Sequence, residues 1–194
     1  KNNIKPFLVE SYEFSNDGLL LTMNLKKGVK FHNGEEMTAE DVKFSLDRAR
    51  DDKLPAFHVN NLKKVTEVKI TGPYQVQMML SAKMANLLNY LATDVGTIAV
   101  MCKKDLEANG NKVVTPIGTG PYKWVQWVKD SKVVLDRFDD YSSADGPVDG
   151  LLGTRHRYFD RLEYYVMKEP STRIMALDKG DVDFTAILPY HMID

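Results

Sequence analysis

The chain reads as a mixed α/β (α+β) protein assembled from β-hairpins and short helices. Three observations carry that expectation. Apolar residues alternate in several short stretches; turn-forming residues separate consecutive stretches; and one segment switches to helical spacing behind a capping threonine.

Residues 7–14 are the first extended piece, ended by the turn signal Ser15-Asn16-Asp17-Gly18. In 19–25, Leu19, Leu21, Met23 and Leu25 are apolar at alternate positions, the period of a half-buried strand, so the two pieces pair as a hairpin. Lys26-Lys27-Gly28 interrupts the run, Val29-Lys30-Phe31 resumes it, and Asn33-Gly34 turns it, because both residues tolerate left-handed backbone. Thr38 then starts a helix. Its hydroxyl is spaced to accept from the amide of Asp41, and Glu40 and Asp41 place negative charge at the positive end of the helix dipole. Met37 is spaced to pack on Val42 as a hydrophobic staple, and Val42, Leu46 and Ala49 continue one apolar face.

Residues 51–61 are polar and loop-like around Pro55, Phe57 and His58. Strands at 65–70 and 74–80 flank Thr71-Gly72-Pro73 as a second hairpin, with Val76, Met78 and Leu80 on one side. A short apolar helix is expected at 85–91, a buried strand at 97–101, and a helical turn at 104–108 stopped by Asn109-Gly110. The segment PIGTGP, 116–121, is a rigid corner leading into a strand at 122–128. Lys129-Asp130-Ser131 returns that strand as 132–138, a third hairpin. Trp124 and Trp127 lie three apart and so face opposite sides of it; Tyr164 and Tyr165 are expected to split likewise. Residues 139–157 form a long loop of a kind often functional. A strand at 162–167, a helix at 172–179 capped by Ser171 and ended by Gly180, and a strand at 182–184 complete the order.

A length of 194 residues suits one domain, or one domain and a fragment of a second. Net charge is -1, from 26 basic and 27 acidic residues, with no basic excess to serve as a nucleic-acid footprint. No run approaches the ~20 apolar residues of a membrane span. The single Cys102 cannot form an internal disulfide; it reads as a small buried residue and leaves the compartment open. The chain starts at Lys1 rather than Met, as a processed or trimmed chain would, so the lack of a leader says nothing against export.

Reaction chemistry is not signalled. Gly118-Thr119-Gly120 lacks the third glycine and helix of a dinucleotide loop, and Pro121 removes an amide donor, so it reads as a backbone corner. His32, His58, His156 and His191 have neither i, i+4 spacing nor a Cys/His cluster. His32 reads as a structural hydrogen-bonding residue of its turn, while His58, beside Phe57 in a loop, is open to a ligand. Asp136, Asp139, Asp140 and Asp145 do not form a calcium loop, because Tyr141 and Ser143 interrupt the ligand pattern. There is no Gly-x-Ser-x-Gly elbow, and Cys102 has no signalled histidine partner. No catalytic residue, metal ligand or cofactor is assigned.

Four segments carry a resemblance: GVKFHNGEEMTAEDVKFSLDRA (28–49), GTGPYKWVQW (118–127), KVVLDRFDDY (132–141) and STRIMALDKGDVDF (171–184). Together they resemble the family 5 extracellular solute-binding proteins, the peptide-, nickel- and sugar-capturing receptors of ABC importers. Asn33 stands where Asp is usual and Met37 where Leu or Phe is usual, which keeps turn and staple. Phe138 replaces an Asn and Ser142 a Trp, which makes the loop that follows less predictable.

The resemblance implies a periplasmic-binding-protein-like class II fold, present in part. Residues 1–160 would be mainly the second subdomain of lobe I with strands joining the first lobe; 161–194 would return to that lobe as strand, helix and strand. The rest of the receptor would be absent, making this chain a fragment. It further implies a non-enzymatic, monomeric receptor in the periplasm or on the outer face of the cytoplasmic membrane, lipid-anchored in some forms. Such a receptor captures a small solute, by default a peptide, and delivers it to ABC permease subunits. Ligand-facing positions would be Phe57 and His58 after the Thr38 helix, Asp94 and Gly96 before the 97–101 strand, and Thr185 after the last strand. Nickel-binding relatives use an arginine where Gly96 stands, which argues against nickel. The alternatives are a hydrolase or metalloenzyme with a discontinuous site, or a sheet with a chaperone-like or adhesive role.

Overall fold

The alternating run after Gly18 becomes the spine of an antiparallel sheet. The computed structural model describes residues 4–53, 60, 62–92, 98–143, 146–148, 153–186 and 188–189. Over these residues the chain divides into two units, Lys1–Lys123 with Arg137–Tyr158, and Trp124–Asp136 with Phe159–Asp194.

In the first unit, β1 (Val9–Phe14), β2 (Leu20–Leu25), β3 (Val65–Gly72) and β4 (Gln75–Leu80) form one sheet in the order β1-β2-β4-β3. The β1–β2 and β3–β4 hairpins form where their turn residues predict. β2 also pairs antiparallel with β4, in a register that sets Leu21 opposite Met78 and Met23 opposite Val76. Those four side chains are buried and face α1 (Ala39–Ala49), whose Val42 and Leu46 close the core with Met37, Phe31, Leu62 and Leu87. The opposite face carries a polar ladder. Gln77 donates to Thr22, Gln75 to Asn24, and Asn24 to Ser11, at 3.3, 2.8 and 2.9 Å, so the amides of this face are paired across strands.

The turn into α1 is fixed from several sides. Gly34 adopts φ 86 and donates its N–H to Phe31 O. Gly28 N–H and Tyr74 O–H both donate to Glu36 Oε1 at 2.8 Å, which holds the Glu36 carboxyl below its usual range. At the cap, the bonds run through Asp41. Its Oδ2 accepts from Thr38 N–H at 2.9 Å and from the Thr38 hydroxyl at 3.1 Å, while the Thr38 side chain accepts from the Asp41 backbone N–H as the sequence predicts, closing a capping box.

α2 (Leu87–Leu91) is shorter than the apolar run, with only Leu87 buried. Residues 98–101 are in no strand. Their expected burial survives only as Ile98 and Val100 leaning on the core, while Met101 N–H is taken by a side chain, Ser45 Oγ, at 2.8 Å. α3 (Lys103–Ala108) follows and ends at Asn109, as predicted, with Gly110 and Asn111 both left-handed. Cys102 is buried, as its apolar reading requires.

In the second unit, β5 (Tyr122–Val128), β6 (Lys132–Arg137) and β7 (Arg161–Tyr165) form a sheet in that order, β5 beginning and β6 ending in the first unit. Asp130, at φ 57, makes the turn between the first two. β6 and β7 are antiparallel and joined by two ion pairs, Asp136–Arg161 between directly opposite residues and Lys132–Glu163 on the diagonal. Exposed pairs of this kind are screened by water and add little stability. Trp127 is exposed and Trp124 half-buried, in line with alternation. Tyr164 and Tyr165 do not split: they are 56% and 48% exposed. Tyr165 spends its phenol on Glu163 Oε2 at the sheet surface, under the Lys132 ammonium.

α4 (Pro170–Asp178) begins two residues earlier than a Ser171 cap would start it. Glu169 is the cap and Pro170 takes the first helical position, where its missing N–H costs nothing. The end is as predicted. Gly180 sits at φ 75 and donates to Leu177 O, while Asp181 N–H reaches Ala176 O at 2.8 Å, the two bonds of a Schellman closure. Gly180→Ala places a Cβ on left-handed backbone and should lower stability by about 1–2 kcal/mol, read as a shift in urea midpoint at unchanged slope. Residues 182–184 are in no strand, and Phe184 is 80% exposed. No helix among the described residues is long and apolar enough to cross a membrane.

Candidate functional site

Of the positions that resemblance assigns to a ligand, Thr185 is described: it is half-buried in the segment after α4, in the second unit. Phe57, His58, Asp94 and Gly96 lie outside the described residues. What the structure does give is how the chain on either side of those four is held. Both segments are rooted on α1.

The first root is Arg50, the C-cap of α1. Its Nε donates to Asp47 Oδ1 at 2.9 Å, and its Nη1 donates to the carbonyls of Val65 and Thr66 at 3.1 and 3.2 Å. One planar guanidinium thereby joins the helix end, where residues 51–53 leave, to the start of β3, where the chain returns. Leu62, 1% exposed, plugs the returning arm into the core.

The second root is made by Asp41 and Ser45, both buried. Asp41 Oδ1 accepts from Lys103 N–H at 2.9 Å, and Ser45 Oγ donates to Asp41 O at 2.7 Å while accepting from Met101 N–H. Two backbone amides of 101–103 are thus paid by helix side chains rather than by a strand neighbour. Lys103 also donates to Glu40 at 2.9 Å, which raises its ammonium pKa; that exposed pair adds little stability.

Beside the Arg50 root, in the first unit, an open cleft of about 770 Å³ is floored by Phe44, Leu62 and Val65 and edged by Arg48, Asp51 and Lys63. Sequence reading missed the cleft and both roots. The charged last turn of an amphipathic helix has the pattern of a solvated face, and nothing in one dimension marks Arg50 or Ser45 as bonding distant carbonyls and amides. Among the described residues, no three His, Cys, Asp or Glu side chains gather to hold a metal ion.

Comparison with known proteins gives a consistent picture. The sequence profile of the bacterial extracellular solute-binding proteins, family 5 middle, matches residues 3–194. The oligopeptide-binding protein AppA of Bacillus subtilis (strain 168) is 31% identical over 194 residues, covering 95% of this chain and 33% of AppA. The glutathione-binding protein GsiB of Escherichia coli O1:K1 / APEC is 30% identical over 191 residues, covering 96% of this chain and 34% of GsiB. Among solved structures, NikZ from Campylobacter jejuni in complex with Ni(L-His) superposes with a TM-score of 0.75 at 28% identity, over 92% of this chain and 34% of NikZ. The chain therefore spans about a third of the length of the relatives it matches.

Proposed function

Because this chain belongs to the bacterial extracellular solute-binding proteins of family 5, we propose that it is part of a receptor that captures a peptide outside the cytoplasmic membrane and hands it to an ABC permease. The match over residues 3–194 carries this reading. The names of AppA and GsiB, an oligopeptide and a glutathione binder, favour a peptide or peptide-like solute. Receptors of this kind work by hinge closure, in which contacts made only in the closed state hold solute and lobes together. No bond in the solute changes, so the protein acts as a monomeric binder and not as an enzyme.

In this proposal Phe57, His58, Asp94, Gly96 and Thr185 face the solute. The two roots on α1 fix the described chain that flanks the first four: Arg50 with the start of β3 on one side, and residues 101–103 on the other. Aromatic and imidazole groups supply stacking and hydrogen bonding to a peptide, and a carboxylate supplies a partner for its ammonium end.

The test is a thermal-shift screen of the intact protein against dipeptides, longer peptides, glutathione, sugars and nickel–histidine, with a peptide-hydrolysis assay in parallel. Binding at a hundred times Kd stabilises the folded state by about 2.7 kcal/mol, a shift of several degrees. The expected result is such a shift with peptides and no turnover, reduced by His58→Ala or Asp94→Ala. Turnover of the peptides, or a shift confined to sugars or nickel–histidine, overturns the reading.

A further inference from the structure

The chain leaves or re-enters the first unit at three points: after Lys123, at Arg137 and after Tyr158. The first-unit ends of all three crossings meet at one place. Before the first crossing, the corner 118–121 is gripped by His32. The His32 backbone N–H donates to Gly118 O at 2.9 Å, Gly118 N–H donates to His32 Nδ1 at 3.3 Å, and His32 Nε2 bonds Gly120 O at 3.1 Å. At the second crossing, Phe138 N–H donates to Pro121 O at 3.0 Å, and the buried Phe138 ring stands edge-on to the His32 imidazole with centroids 5.1 Å apart. At the third, Arg157 Nη1 donates to the carbonyls of Phe138 and Asp139, its guanidinium 5.7 Å from the Tyr141 ring.

We propose that His32 is a pH-sensitive pin that fastens the three crossing segments while its ring is neutral and loosens them when the ring gains a second proton. The two ring bonds demand one tautomer. Nδ1 accepts from an amide, so Nε2 carries the hydrogen and donates to Gly120 O. A proton on Nδ1 would set N–H against N–H at Gly118, losing that bond and burying a charge beside Phe138. Burial already depresses the His32 pKa below its ordinary value of 6.5; the bond to Gly120 O opposes this in part, and Lys123 adds to it.

Among the described residues, the remaining charged and titratable groups around the pin do not supply a carboxylate to stabilise an imidazolium. On its own loop, Lys30 is paired with Asp140 and Glu35 with Lys104. Tyr122 and Lys123 open β5, Arg137 is paired with Asp139, and Arg157 and Tyr141 stand behind Phe138. The Cys102 thiol is bonded by Asn33. The stabilising effect of the neutral ring is complete above 6.5 and is lost as pH falls from there to the lower folded-state pKa.

The test is amide hydrogen exchange of the intact protein between pH 7.5 and 5, corrected for intrinsic rates, with His32→Gln and His156→Gln beside the parent. His32→Gln keeps an acceptor and a donor but cannot titrate. The expected result is exchange at 118–123 and 137–141 that rises several-fold toward pH 5 in the parent and in His156→Gln, and stays flat in His32→Gln. A rise that persists in His32→Gln, or no rise in the parent, overturns the proposal. Should His32→Gln fail to fold, nitrogen NMR of the parent decides. A neutral ring protonated at Nε2 at pH 7.5 that gains its second proton only below pH 6.5, as exchange at 118–123 rises, supports the pin; an Nδ1-protonated ring, or a second proton gained above pH 6.5, refutes it.

Discussion

Phe31→Ala should lower the unfolding free energy by about 3–5 kcal/mol, a large part of the 5–15 kcal/mol that holds an ordinary domain together. The ring is 0% exposed, although it sits in a short piece between two turns rather than in a strand or helix. Its backbone is held on both sides. Phe31 N–H donates to Glu35 O at 2.8 Å, and Phe31 O accepts from Gly34 N–H at 2.9 Å. Val29, Met37, Leu21 and Met78 belong to the same buried core. Leu21 and Met78 belong to strands whose hydrogen bonds fix them, so they have little freedom to fill the void. Part of the loss is transfer free energy and the rest is the unfilled cavity. Phe31→Leu should recover more than half of it. Phe14→Ala, at an edge position 37% exposed, is the control and should cost under about 1 kcal/mol. Urea midpoints of the three variants measure this. A loss at Phe31 no greater than at Phe14 would show that the site collapses freely and that the turn is not a pillar of the core.

That turn also marks where sequence reasoning succeeds. Lys27-Gly28, Asn33-Gly34, Asp130 and Gly180 act through their own backbone angles, so their effect is local and can be read one residue at a time. The hairpins and the start and stop of α1 were legible for the same reason. The pairing of β2 with β4 was not, because it joins the strands of two separate hairpins through burial of Leu21, Met23, Val76 and Met78 on one face. Residues 98–101 failed in a related way. A β-branched apolar run predicts burial, which Ile98 and Val100 have in part, but it cannot say whether the amides meet a strand or a serine on a helix. Glu169 took the cap from Ser171 because Pro170 fits the first helical position so well. The candidate ligand positions rest on resemblance alone. The supports of the flanking segments, Arg50, Asp41 and Ser45, bond to main-chain groups far along the chain, and no local pattern encodes such a partner.

Asp41→Ala should cost about 3–4 kcal/mol, and the loss should be shared between the start of α1 and residues 101–103, sixty positions away. The side chain of this 8% exposed residue accepts three hydrogen bonds: Thr38 N–H and O–H on one oxygen, Lys103 N–H on the other. Loss of a helix cap accounts for about 1 kcal/mol. Leaving a buried amide without its acceptor adds about 1–3 kcal/mol, more so because the lost bond was to a charged group. Asp41→Asn retains an acceptor for one of the two amides but turns an NH2 toward the other, so it should recover only about half.

Ser45→Ala removes the neighbouring tie to Met101, and because both ties restrain the same short segment their effects should not add. Once one is cut, the segment is already loose and the second is worth less, giving a coupling of about 0.5–3 kcal/mol in a double-mutant cycle. Amide exchange should rise at 101–103 in either single variant and little further in the double. Strict additivity, with exchange at 101–103 unchanged, would mean that the segment is held by its apolar contacts and that the two side chains only decorate it. The expected coupling instead makes α1 the element through which the fold of the first unit sets the position of the chain leading from Asp94 and Gly96. In that case solute affinity should weaken in both variants in step with exchange at 101–103, not with global stability.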